Sequence, residues 1–398
     1  MDAIEELLTR GVDSIYPNRD ALETVLRNGK KLKLYQGFDP TGPQLHIGHA
    51  VALRKLRQFQ NLGHQVIFLI GDFTAMVGDP SGKYSERKVL TKKEVLENAK
   101  TYKEQASRIL RFDGPNPVEI KYNSEWLATM SAIEFFRLAH FLTYSQIIER
   151  DMFQERMKKG QDLFMNEFLY PFMQGYDSVA MDVDLEIGGS DQMFNMLMGR
   201  KLMHKILKKE KFVMTVPLLT DSNGVKLGKT EGNAIGITDP AKEFFSKIMA
   251  LGDNAIIPCF TLLTDIPLDK IHSMEQDMKQ GKNPMAFKKQ LAFELTKQFN
   301  DEKQAEQAKN EFEIRFQKGD LTQSDLPTKS VSEFPEGSTI LDALVLASIA
   351  ESNSSARRLV EQHAVKINNT LIGSPKEVVH IKKDDILQAG KKAVKIVK

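Results

Sequence analysis

The chain has 398 residues, of which 41% are hydrophobic and 27% charged, with 55 basic against 53 acidic side chains and one cysteine, Cys259. That length suits two or three globular domains, and the lone cysteine excludes an internal disulfide framework or a cysteine-based zinc site. No apolar run is long enough to span a bilayer, and the amino end "MDAIEELLTRGVDSIYP" is acidic and amphipathic, so neither a membrane span nor a signal peptide is expected and a cytoplasmic location is.

In chain order, "KLKLYQGFDP" reads as a strand running into a turn, "HIGHAVALRKLRQFQNL" as a helix stopped by Gly63, and "QVIFLIGDF" as a strand apolar enough to be covered on both faces. Together they form a βαβ unit. The alternation continues through "PVEIKYNSEW", a helical run over 132–149, a segment over 164–181, the strand-like "VDLEIGG" and the helix "QMFNMLMGRKLMHKIL". Residues 1–235 are therefore expected to form a doubly wound α/β domain with a parallel sheet, whose ligand lies at the carboxyl ends of the strands. From Pro240 the pattern changes to helices, which suggests a separate helical domain over 236–320. The polar segment 321–337, punctuated by prolines and glycines, is expected to be a linker. It leads to a small α+β tail over 338–398, in which residues 339–398 carry ten basic and six acidic side chains. Such an excess suits a phosphate backbone, although a solvated lysine-rich surface gives the same count.

Only eight histidines occur in the chain, yet His46 and His49 stand three apart at the expected start of a helix, with Gly48 between them. The first turn of a helix offers unpartnered N–H groups and the positive end of the dipole, a natural place for phosphates. Zinc is the rival reading, but the motif lacks the glutamate of H-E-x-x-H. "GDPSGKY" has the wrong glycine spacing for a Walker loop. Further on, "GVKLGKTEGN" places Lys226 and Lys229 three apart in a glycine-bounded loop, where they could serve a polyphosphate or simply be solvated. Tyr170, Gln174 and Asp177 fall on one face of a helix that Pro171 could kink. Asp191, just after a strand, suits either ribose hydroxyls or a helix N-cap.

The histidine turn and the lysine pair resemble the HIGH and KMSKS signatures of class I aminoacyl-tRNA synthetases, with Leu227, Gly228 and Thr230 departing from the second consensus. "YQGFDPTGPQLHIGH", "GDPSGK", "FLYPFMQGYD" and "IGGSDQ", in that order, narrow the resemblance to the bacterial tyrosyl-tRNA synthetases and extend it over essentially the whole chain. The resemblance implies a Rossmann-like catalytic domain that makes tyrosyl-adenylate from L-tyrosine and ATP with Mg²⁺ and passes the tyrosyl group to tRNA(Tyr). It also implies an anticodon-binding helical domain and a homodimer formed through an insertion in the first domain, where "AIEFFRLAHFLTYSQII" supplies apolar residues.

By the same resemblance, Tyr35 and Asp177 bind the substrate hydroxyl, Asp79, Tyr170 and Gln174 its ammonium group, and Gln192 lies near its reacting end. His46, Gly48 and His49 serve ATP, as do Gly189 and Asp191 at the adenosine and ribose, with Asp39 in a supporting role. Lys226 and Lys229 join His46 and His49 in stabilising charge on the phosphates. The tail resembles a small RNA-binding fold first described in a ribosomal protein, with Arg357 and Arg358 as phosphate contacts. Two alternatives share parts of this pattern: a tryptophanyl-tRNA synthetase, and a non-enzymatic RNA-binding paralogue such as a splicing cofactor.

Overall fold

A computed structural model describes residues 2–81, 90–141, 143–221, 224–228, 232–314, 326–390 and 392–398. The chain divides into two compact units, residues 1–305 and 306–398. Among the described residues no helix is long and apolar enough to cross a membrane.

The first unit is built on six strands: β1 (Ser14–Tyr16), β2 (Lys33–Phe38), β3 (Gln65–Ile70), β4 (Glu119–Tyr122), β5 (Leu185–Gly189) and β6 (Phe212–Val216). Their order across the sheet is β1-β6-β5-β2-β3-β4. All neighbours run parallel except β1, which pairs antiparallel with β6 at one edge. The apolar runs of β2, β3 and β5 are buried because parallel sheets are covered on both faces. The crossover from β2 to β3 is the helix Ile47–Asn61, which turns Ile47, Val51, Leu53, Leu56 and Phe59 into the core. After β4 the chain crosses back to place β5 on the other side of β2, so the winding reverses between β2 and β5. Such a switch point opens a crevice at the carboxyl ends of the two strands, where doubly wound sheets take their ligands.

The helix Met165–Met181 packs beside this crevice and continues through Pro171, giving up the one backbone bond that proline cannot donate to the carbonyl of Glu167. The expected kink does not divide it. Helices follow from Ala241 as expected, among them Ile256–Leu263 and Pro284–Phe299. Up to residue 305 they belong to the same compact unit as the sheet rather than forming one of their own. The reason is direct bonding across the expected boundary. The N–H of Ile237 donates to Leu45 O at 3.0 Å, and Arg10 Nε donates to Thr261 O at 2.9 Å.

The second unit holds β7 (Thr328–Ser330), β8 (Val365–Ile367), β9 (Thr370–Leu371), β10 (Ile386–Ala389) and β11 (Lys392–Val397), in the order β7-β11-β10-β8-β9. Two helices, Ile340–Leu346 and Asn353–Glu361, complete its core with Leu344, Val360, Leu387 and Ile396. The expected linker 321–337 is in part structured. β7 pairs parallel with β11, and Phe334 is buried in this core, so 326–337 are an integral piece of the tail. Residues 321–325 lie outside the described residues.

Candidate active site

A cavity of about 300 Å³ opens at the carboxyl ends of the strands, and its walls include every site residue expected in the first unit except Lys229. Lys229 lies outside the described residues.

At the inner end, β2 carries the fully buried Tyr35 toward the helix Met165–Met181, and its hydroxyl lies 2.9 Å from Ser178 Oγ. Burial, with the charges of Glu186 and Asp177 behind it, pushes the Tyr35 phenol well above its ordinary pKa. As the helical spacing predicts, Tyr170, Gln174 and Asp177 all reach the cavity from one helix. Asp177 accepts from Trp126 Nε1 at 2.8 Å and from Asn123 Nδ2 at 3.3 Å. Burial still raises its carboxyl well above the usual carboxylate range, against the pull of those two donors.

Tyr170 Oη donates to Asp39 Oδ2 at 2.8 Å, and Thr74 Oγ1 donates to Asp39 Oδ1 at the same distance. Asp39, expected beside the nucleotide, is thus bonded directly to a residue expected at the ammonium group. Asp79 makes the turn that its Asp-Pro context allows, accepting from the N–H of Ser81 at 2.9 Å. Its other oxygen accepts from Gln192 Nε2 at 2.8 Å, so the turn holds Asp79 on the cavity wall beside Gln192.

At the outer end, His46 caps the helix Ile47–Asn61, and its N–H donates to Nδ1 of His49 at 3.1 Å, with the two rings 3.9 Å apart. Glycine lets them pack closely, because a Cβ at position 48 would stand 3.0 Å from the His46 ring and 3.2 Å from Leu227 O and push both back by a few tenths of an ångström. Leu227 is held there by its own N–H, which donates to Leu219 O at 2.8 Å. This brings the lysine loop against the histidine turn. Gly189 serves in the same way, since a Cβ there would come within 2.5 Å of Asp191 Oδ1. Lys226 Nζ donates to Asp191 Oδ2 at 2.5 Å across the mouth of the cavity.

Sequence reasoning missed Asn123, Trp126 and Ser178, which hold the two hydroxyl-binding candidates, and the fully buried pair Lys211–Glu186. A signal existed for the last: Glu186 interrupts an apolar strand, where an unpaired carboxylate is costly. Arg357 and Arg358 lie exposed on the helix Asn353–Glu361 of the second unit.

The family described as tRNA synthetases class I (W and Y) matches residues 27–317. The tyrosine–tRNA ligase of Idiomarina loihiensis is 42% identical over 392 residues, covering 98% of this chain and 96% of that protein. The same ligase of Thermotoga maritima is 42% identical over 389 residues, covering 97% and 95%. Among solved structures, a C-terminally truncated mitochondrial tyrosyl-tRNA synthetase of Aspergillus nidulans superposes with a TM-score of 0.65 at 23% identity, covering 79% of this chain and 94% of that one. The last supports the Rossmann-like fold; taken with the family match and the near-complete coverage by the two ligases, it means that the chain belongs to the class I tRNA synthetases, among the tyrosine–tRNA ligases.

Proposed function

We propose that this chain activates L-tyrosine with ATP and then charges tRNA(Tyr). The observation that carries the reading is one cavity with two unlike ends: a buried pair, Tyr35 and Asp177, of a kind suited to a phenolic hydroxyl, and a histidine turn faced by Lys226 and Asp191. The substrate carboxylate forms a bond to the α-phosphorus of ATP as the bond to pyrophosphate breaks. The terminal ribose hydroxyl of the tRNA then attacks the acyl carbon and AMP leaves. No side-chain nucleophile is required, so the protein works by positioning and by stabilising charge on the phosphates through His46, His49, Lys226 and Lys229. Mg²⁺ accompanies ATP, held by phosphate oxygens and water. Asp79, Tyr170 and Gln174 receive the ammonium group, Gln192 lies by the reacting carboxylate, and Gly48, Gly189, Asp191 and Asp39 serve the nucleotide.

A site that pairs its buried polar groups with a phenolic hydroxyl rejects phenylalanine by leaving them unpaired; this enzyme class is the standard case, with discrimination of roughly 10⁵-fold. The same pair argues against tryptophan as substrate. We assign anticodon recognition to the helices after residue 236 and phosphate contacts of the tRNA to Arg357 and Arg358. Ile133, Phe136 and Tyr144, exposed at 59, 70 and 67% within one short segment, support a homodimer formed there, because burying them against a partner would remove large apolar side chains from water. The protein works in the cytoplasm.

Tyrosine-dependent ATP–pyrophosphate exchange by the purified protein tests the reading. Exchange with tryptophan instead would establish the related enzyme, and RNA binding without exchange would establish the splicing-type paralogue. Removal of residues 326–398 should leave exchange intact, abolish efficient charging and flatten the salt dependence of tRNA binding, since fewer phosphate contacts release fewer counterions. Loss of exchange on truncation would make the tail part of the catalytic machinery.

A further inference from the structure

Beneath the inner end of the cavity lies a charged pair that the reading above does not use. Lys211, fully buried just ahead of β6, places Nζ against Glu186 Oε2 of β5 and donates to Ser178 Oγ at 2.8 Å. The helix Met193–Leu202 makes room for the ammonium with a glycine: a Cβ at position 199 would come within 2.5 Å of Lys211 Nζ. Glu186 Oε1, on the cavity side, accepts from Gln174 Nε2 at 3.2 Å. Gln174 Oε1 is buried and has no hydrogen-bond partner among the described residues.

These contacts decide how the Gln174 amide is turned. A carboxylate only accepts, so Glu186 paired with the Lys211 ammonium faces the amide nitrogen, which leaves the carbonyl oxygen for something that donates. An ammonium group is such a donor, and a buried acceptor left unpaired is costly. We propose that Glu186, neutralised by Lys211, is a positioning residue that orients the Gln174 amide so that its Oε1 accepts from the substrate ammonium. Burial favours the neutral amine of Lys211, and the Glu186 carboxylate opposes that. The inference rests on the assignment of Gln174 to the ammonium group.

Three ligands separate this role from a merely structural one: L-tyrosine, tyramine, which keeps the ammonium and lacks the carboxylate, and 3-(4-hydroxyphenyl)propanoate, which lacks the ammonium. Glu186→Gln alone leaves Lys211 buried and unpaired and is expected to destabilise the fold. The main variant is therefore Glu186→Gln/Lys211→Met, which removes both charges at similar volume. An uncharged amide at position 186 can face the Gln174 amide either way, so the KM for tyrosine and the Kd for tyramine should each rise about tenfold. Binding of the propanoate and the KM for ATP should hold, and kcat should change less than the KM for tyrosine. Gln174→Met, which leaves the ion pair in place, should reproduce the same ligand pattern, and the pair substitution should add nothing on top of it.

Equal losses for all three ligands, or unchanged tyrosine and tyramine binding, would overturn the proposal. So would unchanged tyramine binding in Gln174→Met, whether or not the pair variant folds. Exchange by the unaltered protein keeps the two readings apart. If tyrosine supports no exchange, the function itself fails; if it does and Gln174→Met loses tyramine binding while the pair variant binds as the parent does, only this inference fails.

Discussion

The two ends of the cavity hold their polar groups in opposite ways. At the inner end Tyr35, Tyr170 and Asp177 sit on a strand and a helix, buried, and each is tied to a partner within the protein: Ser178, Asp39 and Trp126. At the outer end Lys226 is exposed, Asp191 is half-buried, and the bond between them crosses the mouth. On the function proposed above, the difference follows from what each end would recognise. Discriminating one hydroxyl requires groups that cannot relax when it is missing, so they are fixed by regular structure and desolvated. Stabilising charge on phosphates requires cations, and a cation kept in water until the nucleotide arrives carries no burial cost. An ion pair such as Lys226–Asp191, at this exposure, is worth about 1 kcal/mol or less, so ribose and phosphate oxygens can replace it.

The sharpest way to test the charge-stabilising half of this comparison is to remove one member of the lysine pair. Lys229→Ala should slow single-turnover adenylate formation by ~100-fold while tyrosine affinity is unchanged, because the charge acts on the phosphates in the transition state. An unchanged activation rate would show that the lysine pair is only a solvated surface. At the inner end the same logic runs through selectivity. Tyr35→Phe and Asp177→Ala should each lower the preference for tyrosine over phenylalanine by about tenfold or more, read as the ratio of kcat/KM values. Full preference in both variants would move the hydroxyl to another part of the cavity.

The smallest effect concerns pH. Because burial raises the Asp177 carboxyl, tyrosine affinity should weaken on acidification above the pH at which an ordinary carboxylate takes up its proton. Trp126 N–H bonds to the ionised form and holds that pKa down, so Trp126→Phe should move the loss to higher pH. A shift toward lower pH, or none, would show that another group governs binding. No corresponding shift should appear in the KM for ATP, whose expected contacts lie at the other end.

Much of this site could be read from residues close together in the chain. Helical spacing put Tyr170, Gln174 and Asp177 on one face, and the His46/His49 turn lies at a helix start because an apolar run at helical spacing begins at Ile47. The division of the chain was less legible. The helices after Ala241 show which face is apolar but not what covers it, and the apolar Phe334 within a polar stretch did not reveal its place in the core of the tail. The links between residues far apart in sequence were the least visible. Trp126 reaches Asp177 and Tyr170 reaches Asp39 only because β2 and β4 end beside the helix Met165–Met181.

The sequence by itself, through the order of the motifs that resemble a family, pointed to the class of chemistry. Phosphate-binding turns, lysine pairs and buried-strand patterns are local arrangements, set by backbone geometry and the order of side chains over a few residues. Tertiary structure alone decided how the acceptors and donors are shared. Whether Asp39 serves Tyr170, and whether Glu186 is neutralised by Lys211 and so turns Gln174, depends on strand order and on Gly199 leaving room for an ammonium group. Hydrogen bonds reach about 3 Å, and only folding brings such distant residues within that range.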